Sequence, residues 1–184
     1  MRNYLSLLFI LISTFLYSQV SWEYSHSQIS SDEVELTFEA KIDKTWKLYS
    51  QTQSPEAPPG LALEFHFTQN DSYDIISENN TCWNQADHGS NCMIYSILES
   101  KPLQSFDELF GMDVKYFKDR AIFKQKVKIK DLEGVISIPV KVLLTACDPS
   151  ACTAMEDENE FQFQCRPYAL QKYTAEQYGL IFGN

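Results

Sequence analysis

Hydrophobic and polar residues alternate along much of the chain. Apolar side chains occupy every second position from Val34 to Ile42, Leu61 to Phe67 and Ile136 to Leu144, and Phe123, Val127 and Ile129 follow the same spacing. Successive side chains of a strand point to opposite faces, so this spacing predicts strands with one buried face. Shorter stretches predict five more strands: Val20–Tyr24, Tyr73–Ile76, Met93–Leu98, Val114–Phe117 and Phe161–Cys165. Pro139, on the opposite face of the strand that carries the row from Ile136 to Leu144, predicts an edge position or a bulge.

Polar turns separate these stretches, and no long helical repeat occurs. We therefore predict an all-β antiparallel sandwich. Two segments interrupt it: a loop with three prolines over residues 51–60, and a polar excursion inserted at about residues 79–98. We expect one domain over residues 20–165 and a short C-terminal tail over residues 166–184.

The charge balance excludes one class of partner. The 184 residues include 15 Lys and Arg against 25 Asp and Glu, a net charge of −10, without a basic stripe. Phosphate binding depends on clustered cations, so we expect no nucleic-acid partner. A chain of this length can bury a sizeable core without covalent help, so its five cysteines need another explanation.

The N-terminus predicts export. Arg2 precedes an apolar run from Leu5 to Tyr17, and polar residues follow up to Gln19. This arrangement is typical of a signal peptide over residues 1–19, and the run is shorter than the roughly 20 apolar residues of a membrane span. We expect cleavage near Gln19 and a periplasmic or secreted protein; a retained anchor is the alternative. Disulfides form and persist in such compartments.

Cys147 and Cys152 directly follow the most apolar strand. Five extended residue steps would place their Cα atoms about 17 Å apart, so a disulfide between them requires the chain to reverse. Asp148 and Pro149 favour such a reversal. Alternation along the strand places Cys147 on the face opposite the core, where we expect it to be accessible. Two interpretations stay open: a reversible dithiol/disulfide pair, or an inert local staple.

The remaining cysteines have simpler interpretations. Cys82 and Cys92 flank the polar excursion and predict a structural disulfide across it. The alternative is a metal site that would add Asp87 and His88, but the spacing matches no standard zinc pattern, so we expect no metal. Cys165 shares the inward parity of the preceding phenylalanines, which predicts a buried core residue.

Acidic residues dominate the sequence around the Cys147/Cys152 pair. Asp148 lies between the two cysteines, four acidic residues follow between positions 156 and 160, and no His, Lys or Arg is close in sequence. Negative neighbours disfavour a thiolate. We therefore expect a thiol that reacts slowly when free and becomes reactive within a complex.

Three stretches together carry a resemblance to a known family. They are residues 44–50 (KTWKLYS), residues 106–111 (FDELFG) followed by 114–121 (VKYFKDRA), and the paired cysteines after a hydrophobic strand. In this order, behind a predicted signal peptide, they resemble the N-terminal periplasmic domain of the thiol:disulfide interchange protein DsbD, also called the disulfide bond corrector domain. The resemblance covers about Val20 to Cys165.

The resemblance implies an immunoglobulin-like sandwich that acts as a protein-disulfide reductase, and we expect no cofactor. Cys147 and Cys152 would form the redox pair, with Cys152 carrying the mixed disulfide to a thioredoxin-fold electron donor or acceptor. Five further residues would surround the pair: Tyr49 and, in a capping loop, Asp107, Glu108, Leu109 and Phe110. Leu109 stands where the family usually has Phe.

The chain departs from the family pattern in two respects. Four residues separate the cysteines where well-known proteobacterial members have five, and Thr153-Ala154-Met155 follow Cys152 instead of an aromatic residue and two prolines. The family's transmembrane electron conduit and terminal thioredoxin domain have no counterpart in these residues, so we expect a membrane electron carrier that is encoded separately. The alternative function is a non-catalytic immunoglobulin-like binding or assembly module whose disulfides are purely structural.

Overall fold

The computed structural model describes residues 19–76, 94–95 and 97–166, which form β-strands joined by turns and loops. The strands are β1 (Val20–Gln28), β2 (Glu33–Ile42), β3 (Lys47–Tyr49), β4 (Glu64–Phe67), β5 (Tyr73–Ile76), β6 (Ile94–Tyr95), β7 (Leu98–Glu99), β8 (Leu103–Asp107), β9 (Met112–Phe117), β10 (Arg120–Ile129), β11 (Val135–Cys147) and β12 (Cys152–Gln164). Within these ranges no helix has the length and apolar character needed to cross a bilayer. The predicted signal peptide before Gln19, most of the polar excursion and the predicted tail after Arg166 lie outside the described residues.

One sheet has the order β1-β2-β10-β5, and β7 also pairs with β10. All of these pairings are antiparallel. The central strands β2 and β10 bury every second residue, as their sequence pattern predicts. The opposite face carries charged side chains, among them Lys124 of β10, whose Nζ lies 2.7 Å from Oε1 of Glu35 on β2. Lys124, Lys126 and Lys128 of β10 therefore lie on the solvent face of this sheet.

The other sheet is organised around β11. β12 pairs with β11 over its whole length, from Cys147 opposite Cys152 to Val135 opposite Gln164. The opposite edge of β11 pairs with β4 over residues 140–143 and with β3 at residues 146–147. β6 extends the sheet beyond β4, and β9 and β8 extend it beyond β3. The architecture is an all-β, immunoglobulin-like sandwich of two antiparallel sheets, which confirms the predicted fold class.

Aromatic side chains from both sheets interlock in the core. Between ring centroids, Phe38 of β2 lies 5.0 Å from Phe65 of β4 and 5.4 Å from Phe161 of β12. Phe123 of β10 lies 5.3 Å from Phe65. Full burial of one such side chain stabilises the fold by about 1.5–3 kcal/mol, and each ring pair adds about 0.5–1.5 kcal/mol. These contacts hold the two sheets face to face.

Pro139 lies on a central strand with a regular register, so the predicted edge position or bulge is wrong. The pairing of Val140 with Phe67 places Pro139 opposite Thr68, one residue beyond the end of β4. The carbonyl of Pro139 accepts a hydrogen bond from the Thr68 N–H at 3.0 Å. Because Pro139 has no N–H to return, the Thr68 carbonyl accepts instead from the Tyr73 hydroxyl at 2.5 Å. A side chain thus replaces the donor that the proline lacks.

Candidate functional site

The Cys147–Cys152 disulfide closes the β11–β12 hairpin. The two residues are opposite each other in the ladder, with 4.0 Å between their Cα atoms. Between them, one carboxylate oxygen of Asp148 accepts hydrogen bonds from the Ser150 N–H at 2.7 Å, the Ser150 hydroxyl at 2.7 Å and the Ala151 N–H at 2.8 Å. The Ser150 hydroxyl and these backbone donors hold the pKa of the Asp148 carboxyl below its ordinary value. The predicted chain reversal is confirmed.

The two sulfur-bearing residues differ in accessibility. Cys147 is only 4% exposed, whereas Cys152 is exposed. The prediction of an accessible Cys147 is therefore wrong, although its side chain does point away from the main core. It is buried in a second hydrophobic cluster on the outer face of its sheet, together with Tyr49, Leu61, Val114 and Tyr116. One residue of the pair is thus exposed and the other is buried.

Two loop segments cover this outer face. Leu61 and Ala57 pack onto the cluster from the proline-rich segment that precedes β4. Phe110, from the turn between β8 and β9, packs edge-on against the Tyr49 ring with 5.7 Å between centroids. Apolar side chains from both segments thus exclude water from Cys147.

Asp107 organises the β8–β9 turn. Its side chain accepts a hydrogen bond from the Leu109 N–H at 3.0 Å, and its backbone carbonyl accepts from the Gly111 N–H at 2.8 Å. Gly111 adopts a φ of 64°, a left-handed conformation that glycine tolerates at little cost. Two apolar residues are exposed here, Leu109 of the turn at 71% and Phe106 near the end of β8 at 61%.

The Asp107 carboxylate also contacts two side chains of β3, those of Lys47 and Tyr49. Its Oδ2 atom lies 3.2 Å from Nζ of Lys47 and accepts a hydrogen bond from the Tyr49 hydroxyl at 3.4 Å. Burial, together with the nearby Asp107 charge, raises the pKa of the Tyr49 hydroxyl. Tyr49 therefore keeps its proton at neutral pH and remains a donor to Asp107.

A cleft of about 470 Å³ opens beside the disulfide. Among the residues predicted for the site, those that line it are Tyr49, Asp107, Glu108, Leu109 and Cys147. Phe110 lies behind Tyr49 in the second cluster, and Cys152 is across the ladder from Cys147. The geometry thus brings these predicted residues together at one end of the sandwich.

Two cations in the cleft, Lys47 and Lys118, were missed by sequence reasoning. Lys47 is the ladder partner of Cys147, because β3 pairs with β11 although the two strands are far apart in sequence. The acidic run lies further along β12, where Glu156 and Glu158 pair with Lys141 at 2.9 Å and 3.2 Å. The immediate surroundings of Cys147 are therefore of mixed charge, whereas its sequence neighbours are acidic.

The other cysteines lie away from this cleft or outside the described residues. Cys165 is a free thiol that is half-buried at the margin of the main core, and burial, with a smaller contribution from Asp32, raises its pKa. The predicted Cys82–Cys92 disulfide and its metal alternative fall outside the described residues. Within the ranges that the structure covers, no His, Cys, Asp and Glu side chains cluster as metal ligands would.

Comparison with solved structures identifies proteins of similar architecture. The N-terminal periplasmic domain of ScsB from Proteus mirabilis superposes with a TM-score of 0.53 at 11% sequence identity, covering 89% of this chain and 54% of that one. The chain shares its fold with that domain. It spans about half the length of the ScsB domain it matches. The N-terminal domain of DsbD from Neisseria meningitidis, in the reduced form, matches with a TM-score of 0.41 at 13% identity, covering 77% of this chain and 83% of that one.

No family model and no curated protein sequence matches the chain. At 11% identity, the likeness to the ScsB domain shows a common fold and leaves activity to be argued from the site.

Proposed function

We propose that the protein is an exported thiol:disulfide exchange protein, a protein-disulfide reductase that uses Cys147 and Cys152 and a thioredoxin-fold partner. One observation carries the proposal: the disulfide has an exposed member, Cys152, and a buried member, Cys147, and Cys147 lines a cleft. Intermolecular exchange takes place at a sulfur that the partner can approach, and unequal access favours attack at one sulfur of the pair over the other.

The reaction would proceed in two balanced steps. In the reduced protein, the Cys152 thiolate attacks one sulfur of the partner's disulfide; a Cys152–partner bond forms and the partner's second sulfur leaves as a thiolate. The Cys147 thiolate then attacks the Cys152 sulfur, which forms the Cys147–Cys152 disulfide and releases the partner's first sulfur. Two electrons pass to the partner, whose sulfurs take up protons from solvent. Reversal of the same steps would reload the protein from a thioredoxin-fold donor, itself supplied by a separately encoded membrane electron carrier.

The residues around the pair would control access to it. Asp107 anchors the β8–β9 turn, and the side chains of Glu108 and Leu109 stand beside the cleft that leads to Cys147. Tyr49, which lines the same cleft, and Phe110 pack in the cluster that buries Cys147. Displacement of the β8–β9 turn by a docking partner would let the second step proceed within the complex.

The burial of Cys147 also favours a competing function, a non-catalytic binding or assembly module. A disulfide packed among Tyr49, Leu61, Val114 and Tyr116 is placed as structural disulfides are. The reduction potential separates the two functions, because structural disulfides in secreted proteins have reduction potentials below about −300 mV. Equilibration of the purified protein in thiol buffers, followed by mass spectrometric mapping, should show the Cys147–Cys152 bond reduced at a less negative potential.

Trapping tests the order of the two steps. Cys147→Ser leaves Cys152 able to form a mixed disulfide that Cys147 can no longer resolve, so this variant should accumulate more covalent adduct with an oxidised thioredoxin-fold protein than the wild type does. Cys152→Ser is the matched control and should accumulate little adduct, because Cys147 is buried. Equal trapping by both variants, or by neither, would contradict the assignment of Cys152 to the first step.

A further inference from the structure

Lys47 occupies a defined position beside the buried cysteine. It is the first residue of β3 and the ladder partner of Cys147 on β11. Directly opposed residues of antiparallel strands project to the same face of a sheet, with Cβ atoms about 4.5–5.5 Å apart. The Lys47 side chain therefore emerges next to Cys147, on the outer face that carries the second hydrophobic cluster.

Two contacts keep the Lys47 ammonium group in the cleft. Its Nζ atom lies 3.2 Å from Oδ2 of Asp107 and 5.0 Å from the centroid of the Tyr116 ring. The Lys47 side chain is 31% exposed, and Tyr116 is itself part of the cluster around Cys147. An ion pair and a cation–π contact together restrict a side chain that would otherwise extend into solvent.

We infer that Lys47 stabilises the thiolate of Cys147 when the disulfide is open, and this inference rests on the proposed exchange function. Loss of the Cys147 proton to solvent places a negative charge in a largely apolar cluster beside the Asp107 carboxylate. Both features disfavour that charge. The Lys47 ammonium group is the cation that the ladder places directly across from it.

This stabilisation would act on the second step of exchange. The attacking species there is the Cys147 thiolate, and the rate of attack increases with the fraction of thiol that is ionised. No further reactant is involved: the new bond joins Cys147 to Cys152, and the electron pair of the broken bond leaves on the partner's sulfur. Lys47 would thus increase the ionised fraction of a thiol that its apolar and acidic surroundings otherwise keep protonated.

Other ionisable groups in the cleft or in the second hydrophobic cluster also contribute to the electrostatic environment of Cys147. They are Tyr49, Asp107, Glu108, Tyr116, Lys118 and Asp148. Asp148 directs its carboxylate to hydrogen-bond donors of its own turn, and the Tyr49 hydroxyl is directed to Asp107. Lys118 is exposed, whereas the ammonium group of Lys47 is held by two contacts. Lys47 is therefore the cation whose removal should change the ionisation of Cys147 most.

The test measures the ionisation of Cys147 alone. In a Cys152→Ser, Cys165→Ser background, the rate of Cys147 alkylation by iodoacetamide is followed against pH, with mass spectrometry of the Cys147 peptide as the readout. The midpoint of this profile reports ionisation independently of how slowly the reagent reaches the thiol. Lys47→Met should raise the midpoint by about one pH unit, and Lys47→Arg should leave it near the parent value. Lys126→Met removes an exposed cation from the other sheet and should change nothing.

An unchanged midpoint in Lys47→Met would overturn the inference. If that variant fails to fold because the Asp107 carboxylate loses its partner, the comparison moves to the Asp107→Asn background, where adding Lys47→Met should still raise the midpoint. Exchange between the wild-type protein and a thioredoxin-fold disulfide is measured separately. Exchange without a Lys47 effect would refute this inference alone, and a Lys47 effect without exchange would refute the proposed function alone.

Discussion

The Tyr49 hydroxyl donates a hydrogen bond to the Asp107 carboxylate across 3.4 Å. Tyr49 belongs to the cluster that buries Cys147, and Asp107 anchors the turn that caps it. Lys47 binds the same carboxylate oxygen from the strand beside Cys147. The Asp107 side chain thus connects the β8–β9 turn to Tyr49 of the cluster and to Lys47 of β3. Loss of its carboxylate should therefore release the turn from the surface that covers Cys147.

Replacement of Asp107 should make the disulfide easier to reduce. Asp107→Ala removes the acceptor for the Leu109 N–H and the Tyr49 hydroxyl and releases the turn, so reduction by dithiothreitol should be several-fold faster than in the wild type. Asp107→Asn keeps an acceptor oxygen and should show a smaller increase. Equal acceleration in both variants would mean that the charge of Asp107, and not its anchoring of the turn, limits reduction. No acceleration in either would contradict the capping role.

The Tyr24 hydroxyl should contribute measurably to stability, because it ties the two sheets together at one side of the sandwich. It donates to Asp157 of β12 at 2.5 Å, while the ring packs on Phe38 and Phe161. Tyr24→Phe keeps the ring contacts and removes only the hydroxyl, so the free energy of unfolding in urea should fall by about 1.5 kcal/mol. Asp157→Ala should cost less in the Tyr24→Phe background than in the wild type. Additive losses would show that the two groups do not interact.

Strands with one buried face were the part of the fold that sequence could predict. β2, β10 and β11 alternate because the main core lies on one side of each, and β5 has the bounds predicted for it. β3 was missed because Leu48 and Tyr49 are both buried, one in each hydrophobic cluster, so no alternation is visible. β4 begins later than the apolar row that starts at Leu61, because Leu61 belongs to a loop that covers the outer face.

The site was predictable where it is local in sequence and unpredictable where it depends on strand pairing. The two cysteines and the reversal at Asp148 lie within a few residues of each other, so spacing and turn preferences were sufficient. The burial of Cys147 depends on residues before β4 and in the β8–β9 turn that fold over the outer face, and the sequence around Cys147 does not indicate those contacts. The position of Lys47 required the β3–β11 register, which no local pattern encodes.

Glu99 should make stability depend on pH in an identifiable direction. Its carboxylate accepts hydrogen bonds from the Ser50 hydroxyl at 2.7 Å and the Gln51 N–H at 3.3 Å, and burial raises its pKa above the ordinary 4.5. A raised folded-state pKa means that the folded protein binds the proton more tightly than the unfolded chain does. The stability that Glu99 contributes is therefore complete below about pH 4.5 and decreases as pH rises through the folded-state value.

The Glu99 effect is isolated by a difference between two proteins. The free energy of unfolding of the wild type minus that of Glu99→Gln should decrease as pH rises from about 4.5, because only the wild type titrates at this position. Glu56→Gln, at an exposed position in the proline-rich loop, is the matched control for the loss of one carboxylate. A Glu99 difference that increased with pH would show that hydrogen bonding to the charged form outweighs burial.

Pro139 and Tyr73 should be coupled through the Thr68 carbonyl, although they do not share a ladder position. Tyr73→Phe leaves that carbonyl without its hydroxyl donor, so the variant should lose about 1 kcal/mol of unfolding free energy. In Pro139→Ala, the new N–H faces Thr68 from the position where the proline had none, and it can donate to the same carbonyl. Tyr73→Phe should therefore cost less in the Pro139→Ala background than in the wild type, as measured by a double-mutant cycle in urea. A coupling energy near zero would mean that Tyr73 contributes to stability by some other contact than the one with Thr68.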